Sequence, residues 1–231
     1  MRSPWLDRLG ISAVLFDLDG VLIDSMPFHY EAYRRVLAEE GLAIDRMDIY
    51  LREGLGTPDV LRALSEERGW ALSPERIQEI TERRRRLFYQ IYQHRVFAEI
   101  PEMLSWLSAA SYRLGVVSGA TEQSLNVCLN DYPVAPGQGA LGQWFQLVIS
   151  GTSVKRGKPF PDPYLKALEE LRLEGRQVLV VENAWAGIAA AQAAGCYCVA
   201  LETTLPAAYL KEAHWVLPDH AALMRLLRDS N

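Results

Sequence analysis

Two aspartates follow the first apolar run of the chain and are separated by one residue, in the order Asp17-Leu18-Asp19-Gly20. Residues two apart in an extended chain point to the same side, so both carboxylates can face one space beyond the end of a strand. Gly20 lets the chain turn sharply after them. Two carboxylates held together repel each other unless a cation or a shared proton relieves the repulsion. The pattern predicts a site that holds positive charge, although an ordinary strand-end turn also favours these residue types.

Four more polar residues come after other apolar runs. They are Ser118, Lys158, Glu182 and Asn183. The carboxyl ends of parallel strands share one edge of a sheet, where open α/β sheets bind ligands, so we expect these residues to gather beside Asp17 and Asp19. Oxygen groups suit Mg²⁺, which keeps several waters and takes few protein ligands plus a phosphate. Mg²⁺ is therefore the expected cation.

The elements that must position these residues follow from the apolar pattern. Runs without polar alternation are typical of strands buried on both faces of a parallel sheet. They lie at 11–16, 114–117, 147–149, 178–181, 197–201 and, more weakly, 215–217. Helical patterns at 101–110, 163–171 and 186–194 alternate with the later runs. The sequence predicts an α/β fold with a Rossmann-like parallel sheet core.

Residues 24–95 interrupt this alternation because they contain successive helical patterns and no convincing strand. One helix is predicted at 28–40, and two more begin where a capping residue precedes proline, at Thr57-Pro58 and Ser73-Pro74. We therefore predict an all-helical cap domain at 24–95, inserted into a core domain formed by 1–23 and 96–231.

Composition limits the partners. Lys+Arg 24 against Asp+Glu 29 gives a net charge of −5, so no overall positive field attracts nucleic acid or an anionic membrane. The odd cysteine count of 3, in a chain too long to need disulfides, indicates reduced thiols. Neither a signal peptide nor an anchor is visible near the N-terminus. We expect a cytoplasmic protein without nucleic-acid or membrane partners, of undetermined oligomeric state.

Taken in order, the motifs resemble those of the haloacid dehalogenase superfamily. They are Asp17-x-Asp19-Gly20-Val21-x-x-Asp24-Ser25, then Ser118 after Val116-Val117, then Lys158-Pro159-x-Pro161-Asp162-Pro163, and finally Val181-Glu182-Asn183-x-x-x-Gly187-Ile188. The resemblance covers nearly the whole chain. The most similar branch contains the phosphatases and β-phosphoglucomutases that carry a helical cap after the first motif.

This resemblance implies a Mg²⁺-dependent phosphatase acting on a small phosphorylated metabolite, such as a sugar phosphate. Asp17 would attack phosphorus and form an aspartyl-phosphate, while Asp19 would act as general acid and then as general base. Ser118, Lys158 and the backbone at Gly119 would stabilise the phosphoryl oxygens. A carboxylate oxygen of Asp17, the backbone carbonyl of Asp19, and the Glu182-Asn183 pair would bind the metal.

The fourth motif departs from the family pattern, which commonly has Glu-Asp where this chain has Glu182-Asn183. An amide oxygen can ligate Mg²⁺ but brings no charge, so we expect weaker metal binding. A catalytically weakened binding or regulatory module is the alternative that this substitution leaves open.

Other reactions of the superfamily are constrained by single residues. Dehalogenases lack the second aspartate, so Asp19 argues against that reaction. Phosphonate-cleaving relatives need a cap lysine, and residues 24–95 contain none. A β-phosphoglucomutase-type phosphomutase stays open because His29 matches a histidine of that group. Thr57, however, lies where the mutases place an arginine, which favours hydrolysis.

Substrate contacts are expected from the cap. Arg52-Glu53-Gly54 resembles the specificity loop of the family, although a solvated turn is equally plausible. The run Arg83-Arg84-Arg85-Arg86 spreads around a helix and is expected to be largely solvated. Arg84 differs because an apolar stripe runs through its position. We expect Arg84 either to pair with a buried acid or to reach toward substrate, and we add His29 and Gly119 to the substrate-binding set.

Overall fold

The computed structural model describes residues 2–134 and 137–229, so residues 1, 135, 136, 230 and 231 of the predicted core domain lie outside the description. The helices are α1 (Pro4–Arg8), α2 (Met26–Glu39), α3 (Arg46–Tyr50), α4 (Thr57–Arg68), α5 (Pro74–Ile91), α6 (Ile100–Ala109), α7 (Glu122–Asn130), α8 (Asp162–Leu171), α9 (Trp185–Ala193) and α10 (His220–Arg228). The strands are β1 (Ala13–Phe16), β2 (Arg113–Val117), β3 (Leu147–Ile149), β4 (Val178–Glu182), β5 (Tyr197–Leu201) and β6 (Trp215–Leu217).

All the strands form one parallel sheet in the order β3-β2-β1-β4-β5-β6. β2 and β3 lie on one side of β1, and β4, β5 and β6 lie on the other side. The strand order therefore reverses at β1 and β4, which is where open α/β sheets bind ligands. The predicted parallel sheet is confirmed.

The central strands of the sheet are buried on both faces. Every residue of β1 and β4 is buried. Alternate residues of β1 enter different apolar layers, because Leu15 packs in one cluster and Val14 and Phe16 in the other. This two-sided burial explains why the strand sequences are apolar without alternation.

The segment between β1 and α6 is helical, as predicted. It contains α2 to α5, with α2 packed on α5 and α4 also against α5. The two connections to the sheet run side by side, since Ile23 bridges Val96 and the Asp24 amide donates to the Arg95 carbonyl over 2.8 Å. This crossing lies beside the predicted domain boundaries.

The predicted helix starts are partly corrected. Ser73 caps α5, accepting a hydrogen bond from the Arg76 amide as expected. Thr57 does not cap α4. It is the first helical residue, and Gly56 occupies the preceding position without a side-chain cap. The short helix α3 was not predicted, although its capping box of Asp45 and Asp48 is a local signal that could have located it.

Within the described part of the chain, no helix combines the length and the apolar character that a membrane crossing would require.

Candidate active site

The register of the sheet brings the predicted core residues together. Phe16 pairs with Val116 on one side and with Val181 on the other. The carboxyl ends of these strands therefore lie side by side. Asp17 and Ser118 directly follow β1 and β2, and Glu182 is the last residue of β4. Each of the three is buried.

Lys158 reaches this edge from the loop before α8 and is buried beneath Asp17. Its Nζ donates to Asp17 Oδ1 over 2.6 Å, to Glu182 Oε1 over 2.5 Å and to the Val117 carbonyl over 2.9 Å. Burial acts to lower the pKa of Lys158, but the two carboxylates outweigh it and hold that pKa above its ordinary value. The ammonium therefore stays charged between the two acids.

Glu182 is oriented toward Lys158 by further contacts. Its Oε1 also accepts a hydrogen bond of 2.8 Å from the Tyr164 hydroxyl. Its Oε2 accepts one of 3.2 Å from the backbone N–H of Asn183. The side chain lies over Gly187, where a Cβ atom would come within 1.8 Å of Glu182 Oε1. Tyr164 was missed by the sequence reasoning, since a tyrosine at an apolar position of a helix gives no local sign of a carboxylate partner.

Asp17 combines burial with a nearby cation. Burial raises the pKa of Asp17 to about 8, against the lowering effect of Lys158 and with a further increase from Glu182 and Asp19. Asp17 Oδ1 accepts a hydrogen bond from Lys158 Nζ, whereas no donor among the described residues forms a hydrogen bond to Asp17 Oδ2. One carboxylate oxygen is thus held by the ammonium, and additional positive charge would be needed to keep the group ionised at neutral pH.

Asp19 is held by two residues from the start of the cap. Ser25 Oγ donates to Asp19 Oδ1 over 2.5 Å, and His29 Nε2 lies 3.4 Å from the same oxygen. Burial acts to raise the pKa of Asp19, but the hydrogen bonds from His29 and Ser25 hold it below its ordinary value. Asp19 is therefore ionised in this arrangement and can accept a proton.

Arg84 contacts His29 from α5. Its guanidinium donates to His29 Nδ1, so the ring hydrogen lies on Nε2 and faces Asp19. Burial, together with the positive charge of Arg84, lowers the pKa of His29, so the imidazole is neutral. The guanidinium also lies 4.6 Å from the centre of the Tyr33 ring. Arg84 lines the cavity described below and forms no ion pair with an acid among the described residues.

Arg83 and Arg85 of the run form ion pairs at the surface of the cap, as expected for a solvated helix. Arg83 contacts Glu39 and Glu40, and Arg85 donates to Glu82 over 2.5 Å.

Glu53 links the cap to the core. Its Oε1 accepts a hydrogen bond of 2.8 Å from Asn183 Nδ2, and its Oε2 accepts one of 3.1 Å from the Thr204 hydroxyl. Burial raises the pKa of Glu53 well above its ordinary value, opposed by the Asn183 hydrogen bond and reinforced by Asp17 and Asp19. Asn183 Oδ1 is buried and has no partner among the described residues. A buried carboxyl group whose neutral form is favoured therefore lies beside Asp17 and Asp19, next to an amide oxygen without a partner among the described residues.

The neighbours of Glu53 take different positions. Arg52 donates to the Asp48 carbonyl over 2.8 Å and contacts Glu67, so its charge is compensated within the cap. Gly54 has a φ of 89° and lies close to the core, since a Cβ atom there would be 3.3 Å from the Ala186 Cβ. Glycine is required at this position by both the conformation and the close approach.

A cavity of about 330 Å³ separates the cap from the sheet edge. Asp17, Asp19, Ser118 and Gly119 line it from the core, and its cap side includes His29, Arg52, Glu53, Gly54 and Arg84. The predicted site residues therefore converge, with Lys158 and Glu182 beneath the cavity and Asn183 beside it. Within the described ranges, no three acidic, histidine or cysteine side chains form a ready metal cluster.

Comparisons with known proteins agree with this arrangement. A family profile described as haloacid dehalogenase-like hydrolase matches residues 11–195. The chain is 29% identical over 191 residues to the phosphorylated carbohydrates phosphatase of Thermotoga maritima, covering 80% of this chain and 82% of that protein. It is 32% identical over 214 residues to the validoxylamine A 7'-phosphate phosphatase of Streptomyces hygroscopicus subsp. limoneus, covering 89% and 92%.

A structural comparison gives the same fold. The β-phosphoglucomutase of Clostridium difficile superposes with a TM-score of 0.75 at 21% identity, covering 94% of this chain and 97% of that one. Because the family profile spans most of the chain and the sheet edge carries the motif residues in order, the chain belongs to the haloacid dehalogenase-like hydrolases.

Proposed function

We propose that the protein is a Mg²⁺-dependent phosphatase that hydrolyses a small phosphorylated metabolite through an aspartyl-phosphate on Asp17. The observation that carries this proposal is the position of Asp17. Its Oδ1 is held by Lys158 over 2.6 Å, and the residue opens onto a cavity that it shares with Asp19. A carboxylate nucleophile and a second carboxylate for proton transfer are the groups that a two-step phosphoryl transfer requires.

In the first step, an oxygen of Asp17 forms a bond to phosphorus while the bond from phosphorus to the ester oxygen breaks. Asp19 is ionised without substrate. It would take up a proton from solvent when the negative charge of the bound phosphate ester raises its pKa, and it gives that proton to the ester oxygen. In the second step, Asp19 removes a proton from a water molecule, whose oxygen attacks phosphorus and releases Asp17 and phosphate. Asp19 returns to its protonated form, so the two steps balance.

Neighbouring donors stabilise the phosphoryl oxygens. The Lys158 ammonium lies against Asp17, and Ser118 occupies the end of the adjacent strand with Gly119 beside the cavity. Fixed donors in a buried site need no reorganisation during the reaction, which is why they lower the barrier more than water does.

The residues present fit a bound Mg²⁺. Among the described residues, Asn183 Oδ1 is a buried acceptor without a partner, Asp17 Oδ2 accepts from no donor, and the buried Glu53 carboxyl accepts from neutral donors alone. These oxygens, with the Asp19 backbone carbonyl, would hold the ion, and Glu182 stands behind Lys158. A bound Mg²⁺ supplies positive charge that favours the ionised form of Asp17 and the developing charge on the phosphoryl group. Glu53 would bring the second negative charge that Asn183 lacks.

A sugar phosphate is the favoured class of substrate. The cavity of about 330 Å³ has room for a small organic group beyond the phosphate, and its cap side carries both aromatic and charged residues. The relatives from Thermotoga maritima and Streptomyces hygroscopicus are named as phosphatases of phosphorylated carbohydrates and of validoxylamine A 7'-phosphate.

A phosphomutase of the β-phosphoglucomutase type is the second candidate, because His29 lies 3.4 Å from Asp19 in the cavity. Thr57, which lines the same cavity, provides no cation for a second phosphate. Hydrolysis therefore remains the preferred reaction.

The test is a panel of phosphomonoesters with millimolar Mg²⁺, scored by release of inorganic phosphate. We expect release from at least one sugar phosphate, and a loss of about 10⁴-fold or more in Asp17→Asn, with circular dichroism showing that the variant is folded, because the nucleophile is removed. Full turnover in Asp17→Asn would contradict the mechanism. Isomerisation that depends on a bisphosphate primer would support the mutase. Thermal stabilisation by esters without turnover would support a binding module.

A further inference from the structure

One of the contacts between the cap and the core is made by the short segment 51–54 between α3 and α4, called the cap turn here. Two contacts of this segment involve the start of α9. Trp185 Nε1 donates a hydrogen bond of 2.7 Å to the Leu51 carbonyl, and Gly54 lies over Ala186. The amino end of α9 therefore contacts both ends of the cap turn.

Among the described residues, the Trp185 side chain has one recorded hydrogen bond, the one to Leu51. Its side chain is 39% exposed, it does not line the cavity, and the described residues assign its indole N–H only to Leu51. A tryptophan with a partly exposed ring and a partner for its N–H is typical of contact surfaces. Here the partner is a backbone carbonyl of the opposite domain.

The position of this contact gives it a consequence for the site. Leu51 precedes Glu53 by two residues, and Trp185 follows Asn183 by two residues. The hydrogen bond from Trp185 to Leu51 therefore lies next to the hydrogen bond of 2.8 Å between Asn183 and Glu53, and it restrains the backbone on both sides of that contact. Displacing the turn would withdraw the Glu53 carboxylate from Asn183 and enlarge the cavity.

We propose that Trp185 is a positioning residue that latches the cap turn onto the core and so favours the closed arrangement of the cap. The effect on turnover rests on the proposed phosphatase function, whereas the effect on cap position does not. Because Trp185 does not line the cavity, we expect the latch to act equally on every substrate that requires a closed cap.

The experiment compares the wild type with Trp185→Phe, which keeps an aromatic ring and loses the N–H group. Trp144→Phe is the matched control, because Trp144 lies in the core domain outside the site cavity and its N–H has no partner among the described residues. Small-angle X-ray scattering is measured for all three proteins with Mg²⁺ and inorganic phosphate, and kcat/KM is measured on several phosphomonoesters. Circular dichroism checks that each variant is folded.

We expect Trp185→Phe to have a larger radius of gyration than the wild type and the control. Its kcat/KM should fall about fivefold, by the same factor on each substrate, since one hydrogen bond of the closed state is lost. An unchanged radius of gyration in Trp185→Phe would overturn the latch. If the wild type releases no phosphate from any ester, the proposed function fails, and the scattering comparison still decides the latch.

Discussion

At the scale of single residues, Asn183 and Glu53 are matched to each other across the two domains. Asn183 Nδ2 donates to Glu53 over 2.8 Å, which an aspartate at position 183 could not do. Two carboxylates at that distance would repel each other, and both would lie close to Asp17 and Asp19. The amide in the fourth motif is therefore compatible with the acid in the cap.

This pairing predicts the outcome of an exchange of the two groups. Asn183→Asp alone should destabilise the metal-free protein, because it creates a buried pair of carboxylates. The double variant Glu53→Gln/Asn183→Asp reverses donor and acceptor and should recover most of the loss. We expect a coupling free energy of about 1–3 kcal/mol in a double-mutant cycle, measured by urea denaturation with a chelator present.

Glu53→Gln alone completes the cycle. If the change in the free energy of unfolding of the double variant equals the sum of the changes of the two single variants, the residues do not interact and the pairing is wrong.

At the scale of elements, the packing of α9 on β4 depends on a glycine. Glu182 ends β4, and its carboxylate occupies the space over Gly187, with a hypothetical Cβ only 1.8 Å from Oε1. This lets Glu182 accept hydrogen bonds from Lys158 and Tyr164 without leaving the sheet edge. The helix and the strand thus orient the lysine indirectly.

Gly187→Ala should therefore be destabilising, although alanine is ordinarily the better helix former by about 1 kcal/mol. We expect a loss of about 1–3 kcal/mol in the free energy of unfolding, because the new methyl group displaces Glu182. Gly157→Ala is the matched control, since a Cβ there meets no atom within 4 Å. Urea denaturation measures both variants, and a stabilised Gly187→Ala would refute this account of the packing.

At the scale of the whole molecule, the last helix supports the loop that leaves the site. His220, the first residue of α10, donates from Nε2 to the Val21 carbonyl over 2.6 Å, and its ring packs 4.4 Å from the Phe97 ring. Burial lowers the pKa of His220, partly opposed by the Val21 hydrogen bond. The C-terminal end of the chain is therefore connected to the loop after Gly20 through a neutral imidazole.

This connection predicts a pH-dependent contribution to stability. The pKa of His220 in the folded state lies below its unfolded value of about 6.5, so the unfolded state binds more protons in acid. The contribution of His220 is present above pH 6.5 and is lost as the pH falls below it. In His220→Gln, which can still donate to Val21, the stability deficit relative to wild type should shrink from pH 7.5 to 5.5, by up to about 1.4 kcal/mol for each unit below 6.5.

Urea denaturation of both proteins at each pH measures this difference. Other titrating groups, including Asp17 and Glu53, affect both proteins alike and cancel. A deficit that grows in acid would contradict a lowered pKa for His220.

The sequence by itself determined the sheet and the group of residues at its edge. Apolar runs buried on both faces have a pattern that is visible locally, and polar residues at their carboxyl ends must share one edge because parallel strands end together. Asp17, Asp19, Ser118 and Lys158 were predicted on this basis and on the motif resemblance, and their roles in catalysis remain predictions.

Only the tertiary structure decided which partners these residues have. Glu182 faces Lys158 and Tyr164, and Glu53 crosses from the cap to Asn183. Trp185 holds a backbone carbonyl of the cap, a contact that no side-chain pattern encodes. These contacts join residues more than a hundred positions apart in two of the cases. The contacts between the cap and the core depend on how α2 to α5 pack over the sheet. The periodicity of a single sequence predicts each helix and strand, but it does not predict the distance between two of these elements.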